Sequence, residues 1–176
     1  LVVDALGKDF LDECGYEESM PNTDRFMSRC RNFDNAWSSS EWTLPCVASM
    51  STGLYVTNHG IWKNSRGSEQ PDVKNIHELF ESAGYLTSYF SSVSSVSNLT
   101  LTRHTNLYPK GVQHYYSADH ARHEEITFNV LEYLRAYPNE NHFVYIHYMD
   151  VHHIIGGVPS IASQIRTEPT DLDVSQ

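Results

Sequence analysis

The stretch HFVYIHYMD, residues 142–150, decides the fold class of this chain. It is a short run of mostly apolar and aromatic residues that ends in an acid, a pattern typical of a buried strand in a parallel sheet. The chain begins with a second such run, LVVDAL, in which Asp4 follows β-branched residues. Ligands of parallel α/β sheets bind beyond the carboxyl ends of the strands. We therefore expect Asp4, the region around Thr43 and the segment Asp150–His152 at one edge of one sheet.

The segments between these two runs alternate between predicted helices and predicted strands. Apolar residues at helical spacing predict helices near residues 72–82 and 119–136, the first with an apolar stripe of Val73, Ile76, Leu79 and Phe80. This alternation predicts an α/β fold, a mainly parallel central sheet flanked by helices. The expected central strands are Leu1–Leu6, Leu86–Phe90 and Phe143–Met149.

Three segments with weaker patterns complete the prediction. PNTDRFMSRC predicts a helix with Asn22 as its N-cap and Phe26, Met27 and Cys30 on its inner face. RNFDNAWS, residues 31–38, predicts a strand, and SSVSSVSNLTLT predicts a loop followed by an edge strand. Clear periodicity is lost after residue 153. We therefore predict an α/β domain over residues 1–153, followed over residues 154–176 by an irregular tail or the remnant of a missing remainder.

Composition and charge narrow the classes of function. The chain has 176 residues, enough for one domain with a core, and a formal net charge of −10. That charge argues against a nucleic-acid binder and is compatible with binding divalent cations. No apolar run approaches the roughly 20 residues that span a bilayer, and three cysteines imply no disulfide scaffold. The sequon at Asn98 can be glycosylated only in a secretory compartment, and we lean towards a periplasmic or extracellular location.

The stretch EWTLPCVASMSTG places one hydroxyl group in a chemically favourable position. Pro45 suits the first turn of a helix that ends near Gly53, which puts Thr43 at or just before the N-cap. Free backbone N–H groups and the helix dipole favour a phosphate or sulfate ester at this point. A hydroxyl can attack such an ester if a divalent metal lowers its pKa, and Asp4 is the carboxylate that could hold the metal. Sharing one cation would place the two side chains about 4–5 Å apart; alternatively, Thr43 only caps the helix.

Taken in order, these motifs resemble those of the sulfatase family of the alkaline-phosphatase-like superfamily. The family motif Cys-x-Pro-Ser-Arg, followed after four residues by Thr-Gly, aligns without a gap with TLPCVASMSTG. VVDALG resembles the first metal-binding strand, LFESAGYLTSYF the Gly-Tyr-x-Thr segment, and FVYIHYMDVHH the Asp-x-His stretch. The resemblance implies that Thr43 is the nucleophile, that Asp4 and Thr43 bind a divalent metal ion, and that His152 lines the substrate pocket. The metal would be calcium, magnesium, manganese or zinc.

The sequence also departs from the sulfatase pattern at chemically important positions. Sulfatases convert the nucleophile cysteine to formylglycine, and Thr43 cannot give that aldehyde. Superfamily members with threonine or serine here are phosphatases, phosphodiesterases and phosphotransferases. The family's arginine is replaced by Val47 and its neighbouring second Asp by Ala5. The further metal ligands of the family have no counterpart, so we expect the domain to be its N-terminal, incomplete portion.

Other polar residues near these motifs are expected to be structural. Those expected on the surface are Lys63, Arg66, His120 and His123. His147 alternates with apolar residues in its strand and is expected to be a packed histidine, and Cys46 a small buried residue. Asp150 either orients His152 or ends its strand.

Two hypotheses about function follow. The first is a metal-dependent hydrolase or transferase of phosphate or sulfate esters that uses Thr43, with phosphate esters preferred. Its substrate would be an anionic ester of a small molecule, a carbohydrate or a lipid head group. The second is a non-catalytic binding module with the sulfatase fold, or an inactive fragment.

Overall fold

Four parallel strands form the sheet on which the protein is built. The computed structural model describes residues 1–7, 21–33, 35–63, 73–92, 110–118 and 121–155. In these residues the strand order is β1-β4-β2-β3, and every neighbouring pair is parallel. The strands are β1 (Val2–Val3), β2 (Leu86–Ser91), β3 (His114–Ser117) and β4 (His142–Tyr148). This is the predicted α/β class with a parallel sheet.

Three of the strand predictions need correction. Leu1–Leu6 is neither central nor six residues long: β1 is an outer strand of the described sheet and ends at Val3. The chain turns directly after Asp4 because Ala5 adopts a left-handed conformation with φ of 60°. Residues 31–33 and 35–38 form no strand, and the side chains of Phe33 and Trp37 are largely exposed, so the segment buries no apolar face.

The third correction concerns β3, which the sequence analysis did not predict. It is only four residues long and adds to the outer side of β2. The sequence instead predicted an edge strand in a different segment, SSVSSVSNLTLT. Residues 93–102 of that segment lie outside the described residues. The predicted strands Leu86–Phe90 and Phe143–Met149 are confirmed as the central pair β2 and β4.

Six helices occur in the described residues. They are α1 (Pro21–Met27), α2 (Thr43–Thr52), α3 (Val56–His59), α4 (Ile76–Ser82), α5 (His123–Ala136) and α6 (Asp150–Ile155). Helix α1 begins at Pro21, so Asn22 lies inside it rather than at its cap. Phe26 is 69% exposed and α1 contains no buried residue, so the predicted inner face is wrong.

Helix α4 begins later than predicted because Asn75 caps it. The Asn75 side chain accepts hydrogen bonds from the backbone N–H groups of His77 and Glu78, at 2.8 and 3.1 Å. Glu78 returns a hydrogen bond by accepting from the Asn75 N–H at 3.0 Å, which completes a capping box. The buried face of α4 also differs from the predicted stripe: His77 is buried, whereas Leu79 and Val73 are exposed.

The two faces of the sheet are packed differently. One face meets α5 through an apolar cluster of Phe90, Ala121, Ile126, Val130 and Tyr133. The other face carries stacked aromatic rings, with Tyr89 placed 4.7 Å from Tyr145 and 5.6 Å from Tyr115 between ring centroids. Successive side chains of β2 and β4 point to opposite faces of the sheet, so the apolar cluster and the stacked rings lie on different faces.

Candidate active site

Asp4 reaches the aromatic face of the sheet from the end of β1. Val2 pairs with His147 and Val3 with Tyr148 in the parallel ladder, and the Asp4 N–H donates to the Tyr148 carbonyl at 2.9 Å. Side chains alternate between the two faces of a strand, so Asp4 returns to the face of Val2 and therefore of His147. The turn at Ala5 then carries the chain away from the sheet. Asp4 thus lies at the carboxyl edge of β1, with its side chain 13% exposed.

Thr43 is the first residue of α2 and does not cap it. Trp42 is the N-cap, and it offers no side-chain hydrogen bond to the helix. The Thr43 hydroxyl instead donates to Oδ2 of Asp4 at 2.9 Å. This separation is shorter than the 4–5 Å expected above, and it joins two residues 39 positions apart. The hydroxyl is therefore directed at the carboxylate, away from the helix N–H groups that a cap would satisfy.

The Thr-Gly pair closes the helix that Thr43 begins. The Thr52 hydroxyl donates to the Ala48 carbonyl at 2.7 Å and accepts from the Leu54 N–H at 3.2 Å. Gly53 follows with φ of 70°, a left-handed conformation that costs glycine little. The number of residues between Thr43 and the Thr-Gly pair therefore corresponds to the length of α2. This length determines how far Thr43 lies from the end of the helix.

His147 completes the cluster and was not identified as a site residue from the sequence. It is buried, as expected of a packed histidine, but both ring nitrogens have polar neighbours. Nε2 lies 3.1 Å from Oδ2 of Asp4, and Nδ1 lies 3.0 Å from the Tyr145 hydroxyl. An ionised carboxylate only accepts hydrogen bonds, so Nε2 carries the hydrogen. Only the pairing of β1 with β4 reveals this contact, because 143 positions separate the two residues.

These contacts set the protonation of the cluster. Burial alone raises the pKa of the Asp4 carboxyl, but hydrogen bonds from His147 and Thr43 oppose that effect. Electrostatic interactions with His147 and His152 add to the opposition, and the pKa of Asp4 ends below its usual value. Burial raises the pKa of the Tyr145 hydroxyl well above 10, so this group stays protonated near neutral pH. The site therefore presents an ionised carboxylate to a neutral threonine hydroxyl.

His152 is exposed in the first turn of α6, and its electrostatic interaction with Asp4 helps to lower the pKa of that carboxyl. Asp150 does not simply end the strand: its Oδ1 accepts from the His123 backbone N–H at 3.1 Å and lies 3.1 Å from His123 Nδ1. His123 is exposed, as expected, and so is Lys63. His120 and Arg66 lie outside the described residues.

A second hydroxyl–imidazole contact nearby is structural. Ser49 Oγ lies 2.9 Å from Nε2 of His59, whose Nδ1 accepts from the Ile61 N–H at 3.1 Å. Nδ1 is therefore the unprotonated nitrogen, and Nε2 carries the hydrogen and donates. His59 cannot take a proton from Ser49 in this state. Burial also lowers the pKa of His59, which keeps the ring neutral.

The positions that depart from the sulfatase pattern are apolar or only partly polar. Val47 lies one turn after Thr43 in α2 and is 1% exposed. Cys46 is half-buried rather than buried, and its Sγ lies 2.9 Å from the Ser40 carbonyl oxygen. Neither residue supplies a charge that could hold an anion.

The residues that could hold a metal ion are Asp4 and Thr43. Their oxygens suit a hard divalent cation. When each oxygen lies about 2.0–2.6 Å from the ion, two ligands stand about 5 Å apart if they lie on opposite sides of it, and only about 3 Å apart if they are neighbours in the coordination sphere, which is the case closer to the observed contact. The described residues contain no group of three or more His, Cys, Asp or Glu side chains placed to hold a metal. Asp4 and Thr43 thus fit part of a coordination sphere, which needs further ligands.

Comparisons with known proteins identify the family and the fold. The model of the sulfatase family matches residues 1–167. A solved structure of BT4656 in complex with its substrate, D-glucosamine-2-N,6-O-disulfate, superposes with a TM-score of 0.68 at 18% sequence identity. The match covers 96% of this chain and 38% of BT4656, so the chain spans well under half of that structure. A search of curated proteins gives no match. Since the family model covers most of its length, this chain belongs to the sulfatase family.

Proposed function

We propose that the protein is a metal-dependent hydrolase or transferase of ester bonds in which Thr43 is the nucleophile. The observation that supports this most directly is the 2.9 Å hydrogen bond from the Thr43 hydroxyl to Oδ2 of Asp4 at the start of α2. It brings together a nucleophile, a carboxylate and the positive end of a helix dipole. Membership of the sulfatase family, which generally uses a divalent metal ion, supports the same class of chemistry.

In the proposed reaction, Thr43 Oγ1 forms a bond to the phosphorus atom and the bond from phosphorus to the ester oxygen breaks. The ester oxygen leaves with the electron pair and takes up a proton, so that it departs as an alcohol. The hydroxyl hydrogen already points at Asp4, so this carboxylate is the nearest acceptor for the proton. Water or an acceptor alcohol then attacks the phosphorylated threonine and restores the hydroxyl, which gives hydrolysis or transfer respectively. Asp4 and Thr43 would hold the cation, which supplies the charge that lowers the pKa of the hydroxyl.

We infer that phosphate esters are preferred over sulfate esters. A threonine cannot form the aldehyde on which sulfatases depend, and a buried Val47 replaces the arginine that grips the sulfate. The substrate class that BT4656 exemplifies is an anionic sugar, which supports a carbohydrate ester over a lipid head group. His152 is exposed and close enough to Asp4 to interact with it electrostatically, and its ring would contact the anion.

The alternative is a non-catalytic binding module with the sulfatase fold. Val47 and the small number of described metal ligands favour it. A module of this kind would bind an anionic ester at the start of α2 without cleaving it. The two functions differ in whether any product forms.

The test is an assay of the full-length protein on aryl phosphate, phosphodiester and aryl sulfate substrates, with calcium, magnesium, manganese or zinc added. We expect turnover of a phosphate substrate that a chelator abolishes. Thr43→Ala should abolish it, and Thr43→Ser should retain part of it because the hydroxyl remains. Thr57→Ala is the matched control, since Thr57 is an exposed threonine in α3.

Circular dichroism separates lost chemistry from lost structure in these variants. Thr43→Ala removes one hydrogen bond to a charged group, so it should lower the free energy of unfolding by about 1.5–3 kcal/mol and leave the fold intact. Turnover that survives in Thr43→Ala would exclude Thr43 as the nucleophile. If the wild-type protein binds these esters but cleaves none, the binding module is the better account.

A further inference from the structure

His147 is held at both ring nitrogens, which is more than packing requires. Nε2 lies 3.1 Å from Asp4 Oδ2, Nδ1 lies 3.0 Å from the Tyr145 hydroxyl, and the side chain is 1% exposed. Its backbone is fixed as well, because its carbonyl accepts from both the N–H and the hydroxyl of Ser92 at 3.1 Å. The ring therefore has little freedom to turn.

Asp4, by contrast, lies just beyond its strand, where one backbone hydrogen bond, from its N–H to the Tyr148 carbonyl at 2.9 Å, holds the chain but does not set the side-chain rotamer. Strand β1 has two residues, lies at the outer side of the described sheet, and is followed by a left-handed alanine. A side chain at the end of such a short strand has several accessible rotamers unless a neighbour selects one. The hydrogen bonds from Thr43 and His147 both end on Oδ2, and only His147 comes from a central strand.

We propose that His147 is a positioning residue, whose Nε2–H fixes the Asp4 carboxylate so that Oδ2 meets the Thr43 hydroxyl. Tyr145 contributes indirectly, because a hydroxyl that donates to Nδ1 keeps the hydrogen on Nε2. The role deepens the proposed function and rests on it for its consequence, but the positioning is a property of the protein without metal or substrate.

The test compares His147→Gln with His147→Asn in the full-length protein. A glutamine amide nitrogen reaches roughly the place of Nε2, whereas an asparagine amide reaches only that of Nδ1. Both variants keep a polar amide in the same buried strand, so they differ mainly in whether a donor reaches Asp4. Thermal unfolding of the two variants, followed by circular dichroism, checks that both are folded.

The first readout is the χ1 rotamer of Asp4, measured by three-bond NMR couplings on the metal-free protein. We expect one rotamer in the wild type and in His147→Gln, and averaging in His147→Asn. The second readout is titration with Mn²⁺ alone. We expect His147→Asn to bind Mn²⁺ about tenfold more weakly than the wild type, or more weakly still, and His147→Gln to lose less affinity. The third is kcat on aryl phosphate, which should follow the Mn²⁺ affinity.

Equal behaviour of the two variants, in rotamer and in Mn²⁺ affinity, would overturn the positioning role. Failure of the proposed function looks different. In that case the wild type neither binds Mn²⁺ nor cleaves esters, while the Asp4 rotamer still separates asparagine from glutamine. A single Asp4 rotamer in His147→Asn overturns the proposal whatever the activity.

Discussion

At the scale of single residues, a buried histidine makes the protein sensitive to acid. His77 of α4 is 1% exposed and packs edge-on against Phe143 with ring centroids 5.1 Å apart. Neither ring nitrogen has a hydrogen-bond partner among the described residues. Burial lowers the pKa of His77 from 6.5 to about 4. The folded protein therefore keeps this ring neutral where the unfolded chain protonates it.

The sign of the pH effect follows from the lowered pKa. Between pH 6.5 and about 4 the unfolded chain binds more protons, so the free energy of unfolding falls as the pH falls. We expect a loss of about 2 kcal/mol between pH 7 and pH 5 from this residue. Urea unfolding at the two pH values measures it. His77→Phe, which keeps an aromatic ring beside Phe143, should reduce the loss.

The matched control is His123→Phe, because His123 is exposed at the start of α5. This variant should lose more stability between pH 7 and pH 5 than His77→Phe does, because it keeps the buried His77 ring. If His77→Phe loses as much stability between pH 7 and pH 5 as the wild type does, the acid sensitivity comes from other groups.

The same scale shows how far the sequence could identify the site. Asp4 and Thr43 can be identified from local sequence patterns. Asp4 is the acid that follows a predicted strand, and Thr43 is the hydroxyl residue before Pro45 in a motif of fixed length. Their roles as metal ligand and nucleophile remain predictions, as does the role of His152. His147 could not be identified as a site residue from the sequence, because nothing in the pattern of its own strand distinguishes it from a packed residue such as Tyr145. Its contact depends on which strand lies beside β4.

At the scale of elements, a glycine turn lets β3 approach the start of α4. Gly111 has φ of 76°, and a Cβ atom there would lie 2.6 Å from Glu78 Cα and 2.7 Å from the His77 carbonyl carbon. The Asn75 side chain crosses the same contact by donating to the Lys110 carbonyl at 3.1 Å. The turn and the helix cap therefore form one junction, which explains why α4 begins where it does.

Gly111→Ala should strongly destabilise this junction. The left-handed conformation costs alanine about 1–2 kcal/mol, and the clash with the backbone of α4 should raise the total to about 3 kcal/mol or more. Gly84→Ala is the matched control, since Gly84 has φ of 83° but nothing within 4 Å of the added Cβ. Urea unfolding should therefore show a clearly larger loss for Gly111→Ala. Equal losses would mean that the junction is not closely packed.

Element boundaries were the part of the fold that sequence patterns located least well. The patterns identified β2 and β4 because both are runs of six or seven residues rich in aromatic and β-branched side chains, as is typical of strands inside a sheet. They overestimated β1, since the turn at Ala5 has no glycine to mark it. They also placed the start of α4 at Asp72, because the apolar residues Val73 and Ile76 fit helical spacing, whereas the cap that decides it is Asn75.

At the scale of the whole molecule, the parallel sheet brings Asp4, Thr43 and the β4–α6 junction to one edge. No helix in the described residues is long and apolar enough to cross a membrane. The domain boundary at residue 153 stays a prediction, and residues 156–176 lie outside the described residues. The free energy of unfolding should therefore rise when a ligand binds at this edge, since a ligand that binds only the folded state stabilises that state.

Divalent metal should therefore stabilise the full-length protein through Asp4. A saturating cation, at about one hundred times its Kd, adds about 2.7 kcal/mol to the free energy of unfolding. However, the net charge of −10 also attracts cations without a specific site. Asp4→Asn and Glu81→Gln separate the two effects, because each removes one negative charge and Glu81 is exposed on α4.

We expect Mn²⁺ or Ca²⁺ to raise the Tm of the wild type and of Glu81→Gln by the same amount, and to leave that of Asp4→Asn nearly unchanged. Differential scanning calorimetry at about 0.15 M salt measures the shift, because salt at that level screens the diffuse attraction of surface charges. If Asp4→Asn gains as much Tm from the metal as Glu81→Gln does, the cation is held by surface charge. Asp4 would then not be a ligand, and the shared metal site with Thr43 would have to be abandoned.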